Sequence, residues 1–145
     1  RQAMSACAAD IMNAGAATIR PDQPCREALE TFVARHVGTL PAVDGENRLV
    51  GILSTSDLLL PGSLAKRVRD VFTRQVVSVR EDVPIAKVVR LLQSTGLRCI
   101  PVVDREMKLV GVIGRQEVLA CYAGQLRPRP AAPGQADAPA TDLAS

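Results

Sequence analysis

Shifted against itself by sixty residues, the chain matches itself without a gap. That repeat constrains the fold more than any other feature. Residues 10–59 and 70–119 share twelve identical positions under the shift. Asp10 meets Asp70, Arg20 meets Arg80, Asp22 meets Asp82 and Pro24 meets Pro84. Further on, Pro41 meets Pro101, Val43-Asp44 meets Val103-Asp104, and Leu49-Val50-Gly51 meets Leu109-Val110-Gly111. Other pairs are conservative, such as Ile19 with Val79 and Leu40 with Ile100. The chain is one unit written twice.

Each copy carries the same order of local patterns. A short helix leads in, Ser5 to Met12 in the first copy. In the second it follows Ser63, with Leu64, Val68 and Val71 on one face. A brief strand comes next, Ala17-Thr18-Ile19 or Val77-Ser78-Val79. Pro24 and Pro84 then mark the first turn of a helix, where a missing N–H costs nothing. Asp22 and Asp82 suit the same helix start electrostatically. The helices show their period in Cys25, Ala28, Leu29 and Phe32, and in Ile85, Val88, Val89 and Leu92. Two strands follow, Leu40 to Val43 and Arg48 to Leu53, joined by the turn-forming Asp44-Gly45-Glu46-Asn47. The second copy turns through Asp104-Arg105-Glu106-Met107. Leu49 to Leu53 is continuously apolar, the pattern of a strand covered on both faces. A last helix begins near Ser54 or Gly114.

The expected fold is therefore α/β (α+β), β-α-β-β-α given twice. One repeat spans residues 5–60 and the other 63–124, with Pro61-Gly62 at the joint. A sixty-residue half buries little core alone, so the halves should pack together around a pseudo-two-fold axis. Residues 126–145 are rich in Pro, Ala and Gly without periodicity, a composition expected to stay disordered.

Composition excludes several classes of function. Only Phe32, Phe72 and Tyr122 are aromatic, so the core must be aliphatic. Stacking platforms for single-stranded nucleic acid are lacking. The net charge of +3 is small, and Lys66-Arg67-Val68-Arg69 reads as a solvated helix face. No nucleic-acid partner is expected. Cys7, Cys25, Cys99 and Cys121 form no C-x-x-C pair, and no histidine stands at ligand spacing. Reduced, structural cysteines and no metal follow. No apolar run suggests membrane insertion and no leader pattern opens the chain, so a cytoplasmic location is expected. Because the chain opens on Arg1, it also reads as a fragment of something larger. One histidine, with no nucleophile–base pair, G-x-G-x-x-G or Walker pattern, points away from catalysis.

Leu40-Pro41-Ala42-Val43-Asp44, a short turn, Leu49 to Ser54 and then Asp57 resemble the signature of cystathionine-β-synthase-type (CBS) domains. Ile100-Pro101-Val102-Val103-Asp104, Leu109 to Ile113 and Glu117 repeat it. Asp10-Ile11-Met12 and Asp70-Val71-Phe72 are similar to the segment that leads into such domains. The resemblance covers residues 8–121. It implies a tandem CBS pair, or Bateman module, which dimerises, binds AMP, ADP, ATP or a related adenosyl ligand between repeats, and regulates an attached or partner protein.

The resemblance also implies a site. Gly51, Ser54 and Asp57 match the family's Gly-x-x-Ser/Thr-x-x-Asp, in which the aspartate takes the ribose hydroxyls and the hydroxyl residue lies near the phosphates. An ionised carboxylate accepts both ribose O–H groups, and a helix start favours a phosphate. Arg98 matches a basic position facing the phosphates and could grip them in bidentate fashion. Thr39 and Val37 would touch the base. Read without the family, Ser54-x-x-Asp57 is equally a capping box, Arg98 is an exposed charge at a strand start, and His36 belongs to a helix end. The second copy departs from the pattern, with Gly114 for the hydroxyl residue and Glu117 for Asp57. Gly38 stands where the first site has Arg98. Arg115 and Glu117 make a second, degenerate candidate site. Two alternatives stand beside the sensor: a ligand-independent dimerisation or docking module, and the cytoplasmic regulatory domain of a membrane transporter.

Overall fold

A computed structural model describes residues 6–125. The disorder expected for 126–145 lies outside the described residues. Helices run α1 (Ala8–Ile11), α2 (Cys25–Arg35), α3 (Thr55–Leu58), α4 (Val68–Val71), α5 (Ile85–Thr95) and α6 (Arg115–Gln125). Strands run β1 (Thr39–Val43), β2 (Leu49–Ser54), β3 (Val79–Arg80), β4 (Cys99–Val103) and β5 (Leu109–Gly114). This is the expected mixture of helices and small sheets. β1 pairs antiparallel with β2, and β4 with β5, in registers related by the sixty-residue shift. Both hairpins carry an irregularity at the same place, after Ala42 and after Val102.

The expected first strand is short in both copies. In the second it is β3, parallel to β4. In the first only Ile19 bridges, parallel to Ala42. Its N–H donates to Pro41 O (3.0 Å), and its carbonyl accepts from Val43 N (3.0 Å). Pro24 and Pro84 stand one residue before the helix rather than within its first turn, with extended ψ of 146° and 145°. Their carbonyls instead accept from Glu27 and Lys87 (both 3.0 Å), so each proline fixes the helix direction from its N-cap. The strand Leu49–Leu53 is only partly covered, since Leu49, Val50 and Ile52 keep some exposure while Gly51 and Leu53 are buried. β5 is more enclosed, with Gly111 through Gly114 all buried. α3 ends after one turn, before Pro61-Gly62, whereas α6 continues for eleven residues.

The lead-in segments exchange partners. α1 precedes the first repeat but packs into the core of the second, where Ala8 joins Val79, Val88, Ile100, Val102, Ile113 and Val118. α4 precedes the second repeat but packs into the first, where Val68 joins Ile19, Cys25, Ala28, Phe32, Leu40, Ala42, Leu53 and Leu58. The hydrogen bonds obey the same symmetry. Ala8 and Ala9 donate to Val83 O (2.8 Å) and Glu81 O (2.9 Å), while Val68 and Arg69 donate to Gln23 O and Pro21 O (both 2.9 Å). Asn13 bridges Val112 as Thr73 bridges Ile52. Neither core closes without a segment from the other half. Because apolar burial is the dominant favourable term in folding, this exchange ties the halves into one unit.

Candidate ligand site

The halves also meet at residues that are each other's repeat equivalents, which locates the pseudo-two-fold axis. Leu49 donates to Met107 O (3.0 Å) and Leu109 to Asn47 O (2.9 Å), with Asn47 and Met107 both left-handed. At the opposite end of the hairpins, the Thr39 hydroxyl and the Cys99 thiol share a hydrogen bond of 3.1 Å. Thr39 is paired in register with Ser54, and Cys99 with Gly114. A continuous row, Ser54–Thr39–Cys99–Gly114, therefore crosses the axis.

Ser54 and Asp57 stand at one end of this row. Ser54 closes β2 and caps α3, so its side chain sits at the strand-to-helix turn. Asp57 Oδ2 accepts from Ser54 N (2.8 Å) and Ser54 Oγ (3.2 Å), and Ser54 Oγ shares a further bond with Ser56 Oγ (2.9 Å). The capping reading is thus realised. Both bonds fall on Oδ2, and Oδ1 accepts none among the described residues. The residue is partly exposed, so a carboxylate oxygen remains for a ligand.

Thr39 lies between Ser54 and the axis. Gly38, just before it, takes the Thr55 N–H on its carbonyl (3.0 Å). Val37 is partly buried and packs both on the first core and against Val112 of the second half. Its side chain is therefore occupied by structural packing. Arg98 is exposed, one residue before Cys99, and so comes to the same end of the hairpins as Thr39 and Ser54. At the far end of the row, Glu117 Oε1 accepts from Gly114 N (2.6 Å), and Arg115 is exposed as the first residue of α6. His36 is the exposed, left-handed C-cap of α2.

Cys99 and Cys25 behave as small hydrophobes. Burial raises the Cys99 thiol above its ordinary pKa, opposed by the Thr39 hydrogen bond and reinforced by Glu117. Burial likewise raises Cys25, helped by Asp70 and Asp57 and opposed by Lys66. The position of Cys99 in the site wall was missed in the sequence. The signal was available, because Cys99 is the repeat equivalent of Thr39. Among the described residues no group of three or more His, Cys, Asp or Glu could hold a metal ion. No helix there is long and apolar enough to cross a membrane.

Two fused α+β repeats about a pseudo-two-fold axis, with their strand-to-helix turns at the two ends of the row that crosses it, define a paired-repeat module. A family model for the CBS domain matches residues 8–60 and 68–124, and the chain belongs to that family as a tandem pair. It is 33% identical over 102 residues to an inosine-5'-monophosphate dehydrogenase of Methanocaldococcus jannaschii, covering 70% of this chain and 21% of that protein. Enzymes among its relatives are matched through their CBS domains only. The chain spans between 21% and 36% of the length of the first curated relatives. Among solved structures it resembles the CBS-pair protein CBSX2 from Arabidopsis thaliana, at 28% identity and a TM-score of 0.78, covering 85% of this chain and 98% of that one. CBSX2 has also been solved in complex with AMP. The cytosolic domain of the Mg2+ channel MgtE, solved with ATP, matches at 29% identity and a TM-score of 0.69, over 76% of this chain and 46% of that one.

Proposed function

We propose that this chain is a non-catalytic regulatory module that holds an adenine nucleotide (AMP, ADP or ATP) beside Ser54, Asp57, Thr39 and Arg98. The observation that carries the reading is the row across the axis. Thr39, in register with Ser54 of the polar turn, hydrogen-bonds Cys99, the residue that follows Arg98 in the other repeat, and this supports a ligand spanning the two. Asp57 Oδ1 is available to accept a ribose hydroxyl, while Oδ2 keeps the turn in shape. A bound nucleotide would touch both halves. It acts as a regulator only if it favours one relative arrangement of the repeats, or of two chains, over another. The AMP held by CBSX2 and the ATP held by the MgtE cytosolic domain support the ligand class. A homodimer in the cytoplasm, controlling an effector protein or a transporter, is the context this reading expects. Glu117 and Arg115 form the weaker second site, since position 114 offers no hydroxyl.

Calorimetry on nucleotide-stripped protein with AMP, ADP, ATP and S-adenosylmethionine tests the reading. Saturable binding of at least one is expected. Absence of binding by all four at millimolar concentration would reject it. One observation favours a second reading, a ligand-independent dimerisation or docking module. The acids at 10, 57, 70 and 117 all accept the backbone N–H of their own N-cap residue, so Asp57 has a structural task regardless of any ligand. A measured dimer that ignores all four nucleotides would select that reading.

A further inference from the structure

A concavity lies away from the axis, where the first repeat meets the segment that joins it to the second. A cleft of about 380 Å³ opens between the start of α2, the end of α3 and the 3₁₀ turn Ser63–Ala65. Its walls include Leu58, Leu60 and Leu64, and its polar groups include Arg26 and Ser63. The volume lies in the range of small-molecule sites, which combine apolar walls with a few polar anchors.

Ser63 is the feature that needs explaining. It is only 3% exposed, the one polar residue buried among the described residues. Its backbone N–H donates to Leu60 O (3.1 Å) and its carbonyl accepts from Lys66 N (2.9 Å). Its hydroxyl has no hydrogen-bond partner among the described residues, yet it is not sealed away from solvent-sized space. Buried hydroxyls are normally satisfied, since one without a partner gives up the hydrogen bonds it made with water. Here the residue lines a cleft through which a partner can reach it. The Arg26 guanidinium forms no ion pair among the described residues and is exposed at the same cleft.

The second repeat supplies an internal control. The equivalents of Arg26 and Ser63 are Ala86 and Ala123, and α6 runs straight through the region where the first repeat turns at Pro61-Gly62. Neither the two polar groups nor the opening is demanded by the shared scaffold. We infer that this cleft binds a small organic monocarboxylate, its carboxylate taken by Arg26 and the Ser63 hydroxyl and its hydrocarbon body laid on Leu58, Leu60 and Leu64. A guanidinium matches a carboxylate with paired, charge-assisted hydrogen bonds. The leucines give the ligand's body a place out of water. The site is independent of the nucleotide reading, since it uses none of the residues along the axial row.

Backbone-amide NMR of the full chain, titrated with sodium hexanoate, tests this directly. Saturating shifts are expected at residue 26 and residues 58–65, with none at the equivalent residues 86 and 118–125. Hexanol at the same concentration should bind at least tenfold more weakly, because it lacks the charge. Arg26→Ala and Ser63→Ala should each weaken hexanoate at least threefold while leaving the spectrum folded and any nucleotide-induced shifts at 39 and 54–57 unchanged. Four results would overturn the inference: shifts that do not saturate by tens of millimolar, equal shifts with hexanol, equal shifts around residues 118–125, or hexanoate binding unaltered in both variants.

Discussion

The two halves share a backbone plan and differ where chemistry or strain is concentrated. At the lead-in contact, the first half sets the Phe72 ring and the Thr73 carbonyl against Gly51, while the second sets the Met12 side chain against Gly111. In and beside the row across the axis, Ser54, Thr39 and Asp57 have Gly114, Cys99 and Glu117 as their repeat equivalents. At the end of the long helix, His36 takes the left-handed conformation that Gly96 takes in the other copy. The lesson is that duplication preserves the positions where backbones meet and frees the side chains around them. Each equivalent pair is therefore a matched experiment inside one molecule.

The largest difference is expected at the two glycines. A Cβ on Gly51 would stand 2.6 Å from two Phe72 ring atoms and 2.8 Å from the Thr73 carbonyl oxygen. That oxygen also accepts the Ile52 N–H (2.9 Å), so the rigid backbone cannot give without losing the bridge. A Cβ on Gly111 would meet only Met12 side-chain atoms, at 2.6, 2.7 and 3.0 Å, and a methionine can swing aside. Overpacking typically costs 1–3 kcal/mol. Gly51→Ala should lower the unfolding free energy by about 3 kcal/mol and Gly111→Ala by about 1 kcal/mol. Urea melts measure both, and equal losses would mean that the two lead-in contacts are equally adaptable.

The nucleotide comparison comes next in size. Asp57→Ala and Glu117→Ala each remove an acidic cap, and each should cost roughly 1 kcal/mol of stability. Only Asp57→Ala should also weaken nucleotide binding, by at least tenfold, since a hydrogen bond to a charged group contributes about 1.5–3 kcal/mol. Glu117→Ala should change affinity less than threefold. Calorimetry beside urea melts separates the two effects, and matched affinity losses would remove the distinction between the sites.

A smaller effect is expected at the helix ends. His36 has φ of 56° and Gly96 φ of 72°, in a region where a side chain crowds the following carbonyl. His36→Gly should raise stability by about 0.5–1 kcal/mol and Gly96→Ala should lower it by about the same amount. Opposite shifts in the urea midpoint are the expected sign. A destabilised His36→Gly would show that the imidazole contributes more there than its backbone costs.

Much of this was legible before the fold was seen, for reasons that differ by element. The strands and long helices followed from period, because each carries enough apolar residues to show one. Ser54-x-x-Asp57 announced a helix start, and its hydrogen bonds are local, so neighbours in sequence sufficed. The exchange of α1 and α4 was not legible. Each is four residues long with one apolar face, and a duplicated chain presents two equivalent acceptor halves for it. Only the path of the connecting segments decides between them. The cleft by Ser63 was hidden for a related reason. A serine beside Pro61-Gly62 looks like ordinary turn chemistry, and its burial depends on how the linker folds back over α2. The Thr39–Cys99 contact lay in the repeat arithmetic, since residues on a two-fold axis must meet their own equivalents.

The two hairpin turns offer the finest comparison, and pH resolves it. Asp44 Oδ1 accepts from Glu46 N (2.8 Å) and Arg48 N (2.9 Å), as Asp104 Oδ1 accepts from Glu106 N (2.8 Å) and Lys108 N (3.0 Å). Only the first turn adds a guanidinium, with Arg48 Nε donating to Asp44 Oδ2 at 3.0 Å and Nη2 meeting Glu46 at 2.7 Å. The Arg48 backbone N–H leads the groups that hold the Asp44 carboxyl below its ordinary 3.8, with the Glu46 N–H and the Arg48 side chain adding to it. A carboxylate whose pKa is depressed by folding binds its proton more readily in the unfolded chain. Its stabilisation is therefore complete above the unfolded value and fades as pH falls through the folded one. Asp44→Asn should lower the urea midpoint slightly and by the same amount at pH 7 and pH 5, with the gap narrowing once the pH drops below 3.8. The effect stays small, because the turn is exposed and water screens its charges. A gap that persists unchanged into acid would show that geometry alone, and not the charge on Asp44, holds this turn.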